Sequence, residues 1–175
     1  MSKCCQVPVA VYSAHCRVCG RKGKSVARRT MEHLLVESAV ARLTDHPHFF
    51  CATPTCPVVY FSNEADARFY KSDVRVRVGV KETEDPVPIC YCFGITEKMV
   101  RDEIASTGRT TIPDYIKAQV KAGRCACEIM NPSGRCCLGV VTEIAIRLLK
   151  RSDSTRTREE AVAAPMPDGC AVTET

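Results

Sequence analysis

Residues 51–61 read Cys51-Ala52-Thr53-Pro54-Thr55-Cys56-Pro57-Val58-Val59-Tyr60-Phe61, a cysteine pair running directly into a short apolar segment of β-forming residues. Upstream, Cys16-Arg17-Val18-Cys19-Gly20 supplies a C-x-x-C-G, separated from the second pair by 31 residues. Two short-spaced thiol pairs joined by a long spacer are the layout of a tetrahedral four-thiolate zinc site, because each tight turn aims two sulfurs at one ion. Gly20 suits such a turn, since it tolerates positive φ. Four thiolates close the coordination sphere, so Cys16, Cys19, Cys51 and Cys56 imply a structural zinc with no open catalytic position.

The spacer carries Met31, Leu34, Leu35, Ala39, Val40 and Leu43 at helical intervals, which predicts one helix over about 30–43. Past Phe61, Ser62-Asn63-Glu64-Ala65-Asp66 reads as a turn. Val74, Val76, Val78 and Val80 then alternate with polar residues or glycine, a strand pattern. This half should therefore be a zinc-supported hairpin or small sheet with one helix. Ahead of it, residues 1–14 form a leader in which Val7–Val11 is a candidate strand, and Lys81–Pro88 forms a connector.

The second half is helical. Thr96 is placed to cap a helix with Met99, Val100 and Ile104 on one face, ended by Gly108. Thr111-Ile112-Pro113-Asp114 opens another with a capping-box signature and proline in its first turn; Ile112, Ile116 and Val120 align along it before Gly123. A third is expected from about Val140 to Lys150, with Val140, Val141, Ile144, Ala145, Leu148 and Leu149 on one stripe. The apolar periodicity stops at Arg151, so 151–175 is expected to be a disordered tail bearing Cys170. The resulting division is a 1–14 leader, a 15–87 zinc-binding part, an 88–150 helical part and the tail, in an α+β fold.

The chain has 175 residues, 13 of them cysteine, and opens Met-Ser-Lys-Cys-Cys with no apolar run long enough for secretion or membrane insertion. A cytoplasmic protein is expected, and reduced thiols there favour metal ligation over disulfides. The formal net charge of +5 invites a nucleic-acid reading. A four-thiolate zinc site and an oxidised four-thiolate [2Fe-2S] site each carry about −2, however, which brings the loaded chain to about +1. Arg17, Arg21, Lys22, Lys24, Arg28 and Arg29 make a basic stretch at the first thiol pair, readable as a phosphate-binding face or as a solvated loop balancing anionic metal centres. His33, His46 and His48 are expected to be surface or capping residues, and Cys4 with Cys5 either a vicinal soft-metal pair or flexible terminal thiols. No Ser-His-Asp set, phosphate-binding glycine loop or nicotinamide fingerprint occurs, so side-chain catalysis is not expected.

The remaining thiols cluster again. Cys90-Tyr91-Cys92-Phe93-Gly94 precedes the first helix of the second half, and Cys125-Ala126-Cys127 with Cys136-Cys137 lies before the last. A C-x-C followed by a distant thiol group is an iron–sulfur layout, although thiolates alone also fit a second zinc. Placement near helix starts, where N–H groups point outward, favours anionic sulfur ligands.

The strings CPVVYF, CYCFGIT and GRCACEIMNPSGRCCLG carry a resemblance to the amino-terminal domain of CopZ-type copper chaperones, over about 16–150. The second half also resembles bacterioferritin-associated-ferredoxin-like [2Fe-2S] domains. The resemblance implies zinc at Cys16, Cys19, Cys51 and Cys56, with His15 a weaker substitute. It implies a [2Fe-2S] group at Cys90, Cys92, Cys127 and Cys137, the last two having the expected nine-residue separation; Cys125 and Cys136 are alternates and otherwise spare thiols. The M-x-C-x-x-C copper loop of full-length CopZ does not occur in this sequence. The implied role is one-electron transfer or metal-ion reduction in copper or heavy-metal homeostasis, with a redox or metal-transfer partner. Alternatives are a chaperone or sensor for Cu(I) or Hg(II) using the spare thiols, and a zinc-ribbon nucleic-acid-binding regulator.

Overall fold

The structure, a computed structural model, describes residues 14–163, with backbone alone over 155–163. The candidate strand at Val7–Val11, Cys4, Cys5 and Cys170 lie outside the described residues.

The first half is a four-stranded antiparallel sheet in the order β1-β2-β3-β4, formed by β1 (Lys24–Val26), β2 (His48–Phe50), β3 (Val58–Ser62) and β4 (Ala67–Tyr70). The register pairs Lys24 with Phe50, Phe50 with Tyr60, and Phe61 with Arg68. Strand pleating sends successive side chains to opposite faces. Phe50, Tyr60 and Phe69 join Met31, Leu34 and Leu35 in one core, while Phe49, Val58 and Phe61 join Cys16, Cys51 and Cys56 in another; Val59 falls with Tyr60 in the first, where an irregularity between Val58 and Tyr60 interrupts the register with β4. The cysteine turns are thus the second layer over one face of the sheet.

The expected single helix over 30–43 is two: α1 (Arg28–Leu34) and α2 (Glu37–Val40). Leu35 leaves the helix in an extended conformation and bridges Val74, with Val36 N–H donating to the Asp73 carbonyl and Arg75 N–H to that of Leu34. Tertiary pairing overrides the helical period there, yet Met31, Leu34, Leu35 and Ala39 are all buried. That same bridge is all the strand that 74–80 achieves. Val74 and Val78 are buried as alternation requires, but no neighbouring strand is available, and the chain closes into a 3-10 turn at Gly79–Lys81 that exposes Val80 and buries Lys81.

The second half begins with the β5 (Pro88–Cys90) and β6 (Ile95–Thr96) hairpin and continues through α3 (Glu97–Thr107), α4 (Ile112–Lys121), α5 (Cys127–Met130) and α6 (Leu138–Ala163). Thr96 caps α3 by accepting from Met99 N–H at 3.3 Å, and Gly108 ends it with φ 73°. Val100 and Ile104 are buried, but Met99 is on the solvent side. The cap of α4 differs from the expected box: Glu103 of α3 accepts from Thr111 N–H at 3.0 Å and from the Thr110 and Thr111 hydroxyls, so a long-range carboxylate replaces the local one. The last helix runs 13 residues beyond Lys150, to Ala163, where a disordered tail was expected. Its buried part, Val141, Ile144, Ala145 and Leu148, anchors the helix in the core, and adding turns to an existing helix needs no apolar stripe.

The two halves meet directly. Helix α5 packs on α1, where buried Thr30 donates to the Glu128 carbonyl at 2.5 Å. A cavity of about 600 Å³ runs between the halves, with Phe50, Val78, Ile89, Tyr91, Cys137 and Ile144 in its wall.

Candidate metal centres

At the first centre, residues 15–22 fold back on themselves. His15 bridges Lys22, Gly20 N–H donates to the Cys16 carbonyl at 2.7 Å, and Gly20 takes φ +70°. This turn aims Cys16 and Cys19 inward. Cys51 extends the pairing of β2 with β3 through Cys51 N–H to the Val59 carbonyl, and Cys56 N–H closes on the Thr53 carbonyl. The four sulfurs lie within 4.8 Å of one another, with Cys19 to Cys51 at 3.6 Å and Cys16 to Cys56 at 4.0 Å. Zn–S bonds of about 2.3 Å in a tetrahedron require sulfurs about 3.8 Å apart. His15 is exposed and outside this group, its carbonyl held by Asn63.

The environment of the quartet is uneven. Thr53 Oγ1 stands 3.4 Å from Cys19 Sγ, and this hydrogen bond is the main cause that brings the Cys19 thiol down to about 6 against the effect of burial. Burial pushes Cys51 up, and Cys56 to about 12. Lys81, expected only as the first residue of a connector, donates its ammonium to the carbonyls of Thr53 and Cys56 at 2.9 Å each.

At the second centre, Cys90 ends β5 and Cys92 lies in the following turn, where Gly94 adopts φ +64°. Cys127 opens α5, and the Cys137 carbonyl accepts from Val141 N–H in the first turn of α6. The structure brings these four thiols together as two pairs. Cys137 Sγ donates to Cys90 Sγ at 2.9 Å, and Cys92 Sγ is 3.6 Å from Cys127 Sγ and accepts from Ala126 N–H at 3.3 Å. The bond from Cys137 is the main cause lowering Cys90 to about 7 and raising Cys137; burial lifts Cys127 to about 11. Among the described residues, the Cys16 group is the one set of three or more candidate ligands whose donor atoms all lie within 4.8 Å. No three of Cys90, Cys92, Cys127 and Cys137 therefore meet that criterion. Cys125 is half-buried beside Cys127, and Cys136 is exposed; neither belongs to the two close pairs.

Tyr91, between the two C-x-C thiols, ties this centre to the first half. Its hydroxyl accepts from Gly79 N–H at 2.9 Å and donates to the Arg77 carbonyl at 3.1 Å. No local motif signals this, because the partners are 12 and 14 residues away.

A family model described as a zinc binding domain of the CopZ type matches residues 13–75. The solved N-terminal domain of CopZ from Archaeoglobus fulgidus is 32% identical with a TM-score of 0.61; the match covers 74% of this chain and 96% of that domain. The chain belongs to the CopZ N-terminal-domain family. The copper chaperone CopZ of the same organism is 34% identical over 122 residues, 70% of this chain, and the match spans 57% of the chaperone's length. Membership places the Cys16 group in a zinc-binding region and the mixed α/β architecture in a CopZ-like fold. No helix among the described residues is long and apolar enough to cross a membrane.

Half of the basic stretch is engaged in ion pairs. Arg17 pairs with Asp66, Arg28 with Glu32 and Asp45, and Arg29 with Glu128, the last across to α5. Pairing of this kind removes charge that a phosphate backbone would need.

Proposed function

We propose that this chain is a cytoplasmic zinc and [2Fe-2S] protein that passes single electrons in copper or soft-metal handling, to a partner protein or to a bound metal ion such as Cu(II). Zinc is assigned to Cys16, Cys19, Cys51 and Cys56, and the [2Fe-2S] group to Cys90, Cys92, Cys127 and Cys137, in subdomains meeting near Val87.

The observation that carries this reading is the contrast between the two thiol sets. The first is one compact quartet of the size a single tetrahedral ion needs. The second is two separated pairs, Cys90 with Cys137 and Cys92 with Cys127. A binuclear cluster takes two protein ligands on each of two irons, so it needs pairs set apart rather than one quartet. The donor set fits: four thiols, three of them buried, with Ala126 N–H already aimed at a sulfur.

When bound, a [2Fe-2S] group supplies a one-electron couple. The protein residues hold and tune it. Ala126 N–H stabilises negative charge on Cys92 Sγ, and burial of Cys90, Cys127 and Cys137 limits water at the site. Cys137 also lines the cavity between the halves, which gives a metal ion or a partner's side chain a path to that edge of the centre. Family membership with a copper chaperone supports copper as the metal served. The half-buried Cys125 and the exposed Cys136 favour a second reading, capture of a soft ion beside the centre.

Anaerobic purification followed by the visible spectrum, reduced-state EPR and metal counting tests the proposal. Two Fe and one Zn per chain are expected; two Zn and no Fe would sink the redox role.

A further inference from the structure

Lys81 is 7% exposed, and its ammonium lies against the turn that carries Cys51 and Cys56. Two of its three N–H donors go to the carbonyls of Thr53 and Cys56, both at 2.9 Å. Among the described residues no carboxylate is within ion-pair distance of this ammonium. The adjacent Glu82 carboxylate is turned to Lys71 at 2.7 Å and Arg77 at 2.9 Å instead. A buried ammonium without a counter-charge is strongly disfavoured, so its position demands negative charge nearby. With Glu82 taken up by Lys71 and Arg77, the turn that Lys81 holds carries Cys56, a thiol that becomes an anion when metal binds.

We infer that Lys81 is the counter-cation and positioning residue of the zinc centre, fixing the 53–56 turn through two carbonyls while neutralising part of the charge of a zinc tetrathiolate. This rests on the zinc reading of the quartet. A four-thiolate zinc site carries about −2, and a neighbouring ammonium brings the local total to about −1. The sequence location explains the 3-10 turn at Gly79–Lys81: it reverses the alternation of 74–78 so that a lysine, not Val80, points inward. The effect on the centre has two parts. Holding the turn keeps Cys51 and Cys56 at ligand distance before metal arrives, and the positive charge makes the sulfurs less nucleophilic once it is bound.

The test compares wild type with Lys81→Met, Lys81→Gln and Lys81→Arg in the full chain. Zinc affinity is measured by chelator competition, site geometry by the Co(II)-substituted visible spectrum, and sulfur nucleophilicity by the rate of iodoacetamide alkylation of the zinc-loaded protein. Outer partners of metal sites are worth about 10–100-fold in affinity. Lys81→Met is expected to weaken zinc by that factor and to speed alkylation, with the tetrahedral Co(II) bands retained. Lys81→Arg should restore both. Lys81→Gln keeps a donor without charge, so it should recover part of the affinity while its alkylation stays fast. A Lys81→Gln protein with wild-type alkylation overturns the charge role, even if Lys81→Met fails to fold. Wild-type affinity in Lys81→Met overturns the positioning role. Wild-type protein that binds no zinc overturns the zinc reading itself, a result distinct from tight wild-type binding with no effect at Lys81.

Discussion

The Tyr60 hydroxyl donates a 2.8 Å hydrogen bond to the Pro132 carbonyl, joining the central strand of the sheet to the loop between α5 and α6. Both residues are buried, so the carbonyl has no water to replace a lost donor. Tyr60→Phe keeps the ring and strips the bond. A cost of about 1–3 kcal/mol is expected from an unsatisfied buried acceptor. Urea unfolding should show it as a lower midpoint, with the 131–137 loop losing amide protection first; an unchanged midpoint would show that the contact couples nothing.

Gly79 is fixed by proximity. A Cβ there would stand 1.9 Å from the Pro88 carbonyl oxygen, backbone that cannot swing aside. Its N–H is also the donor to Tyr91. Gly79→Ala should therefore cost about 3 kcal/mol by forcing the chain apart and should disturb the C-x-C turn as well. The check is a fall in thermal midpoint accompanied by a changed visible spectrum of the iron-loaded protein.

His48 is buried in β2, with its ring near Phe69 and its Nε2 without a hydrogen-bond partner. Burial, followed by the charges of Arg28 and His46, lowers its pKa. The unfolded chain then takes up a proton more readily, near the ordinary value of about 6.5. The stability tied to neutral His48 is full above that pH and declines as pH falls through it towards the lower folded value. Zinc release also follows acid, so the informative quantity is the difference between wild type and His48→Leu. That difference in urea midpoint should shrink or reverse from pH 7.5 to pH 5.5; a constant difference would contradict a neutral buried imidazole.

What the sequence disclosed was local. The C-x-x-C-G turn, the 58–61 strand, the Thr96 cap and the Gly108 stop are each decided by neighbours within a few residues, and each is present. What it concealed was long-range. The break in the 30–43 helix depends on Val74, the α4 cap on Glu103 eight residues away, and the inward turn of Lys81 on carbonyls 25 and 28 residues away. The valine alternation of 74–80 has the period of a strand, but period does not reveal whether a partner strand exists. The choice of Cys127 and Cys137 over Cys125 and Cys136 came from family resemblance. The physical difference is that Cys127 and Cys137 are buried where α5 and α6 begin, while Cys125 is half-buried and Cys136 exposed.

In the metal-free protein the four thiols of the first centre should differ in reactivity. Cys19 is partly exposed and brought to about 6 by the Thr53 hydroxyl, so it is mostly thiolate at pH 7. Cys56 is buried and pushed to about 12. The thiolate is the nucleophile. Limited iodoacetamide treatment with peptide mapping should find Cys19 modified well before Cys56, and Thr53→Val should slow the Cys19 reaction several-fold. Equal rates at Cys19 and Cys56 would contradict the asymmetry.

The two-pair arrangement of the second centre predicts an unequal response to serine replacement. Cys127→Ser removes the partner of Cys92, and Cys137→Ser removes the partner of Cys90, each leaving one iron of the proposed cluster short of a soft ligand. Cys125→Ser and Cys136→Ser alter thiols that stand outside both pairs. Iron content and visible absorption should fall by more than half in the first two variants and stay near wild type in the second two. The neighbours can also be tested as rescuers. In Cys127→Ser, Cys125 lies two residues away on the same loop, so partial iron retention there that disappears in the Cys125→Ser/Cys127→Ser double variant would show ligand exchange. Full loss in the single variant would show that the start of α5 fixes which thiol reaches the centre.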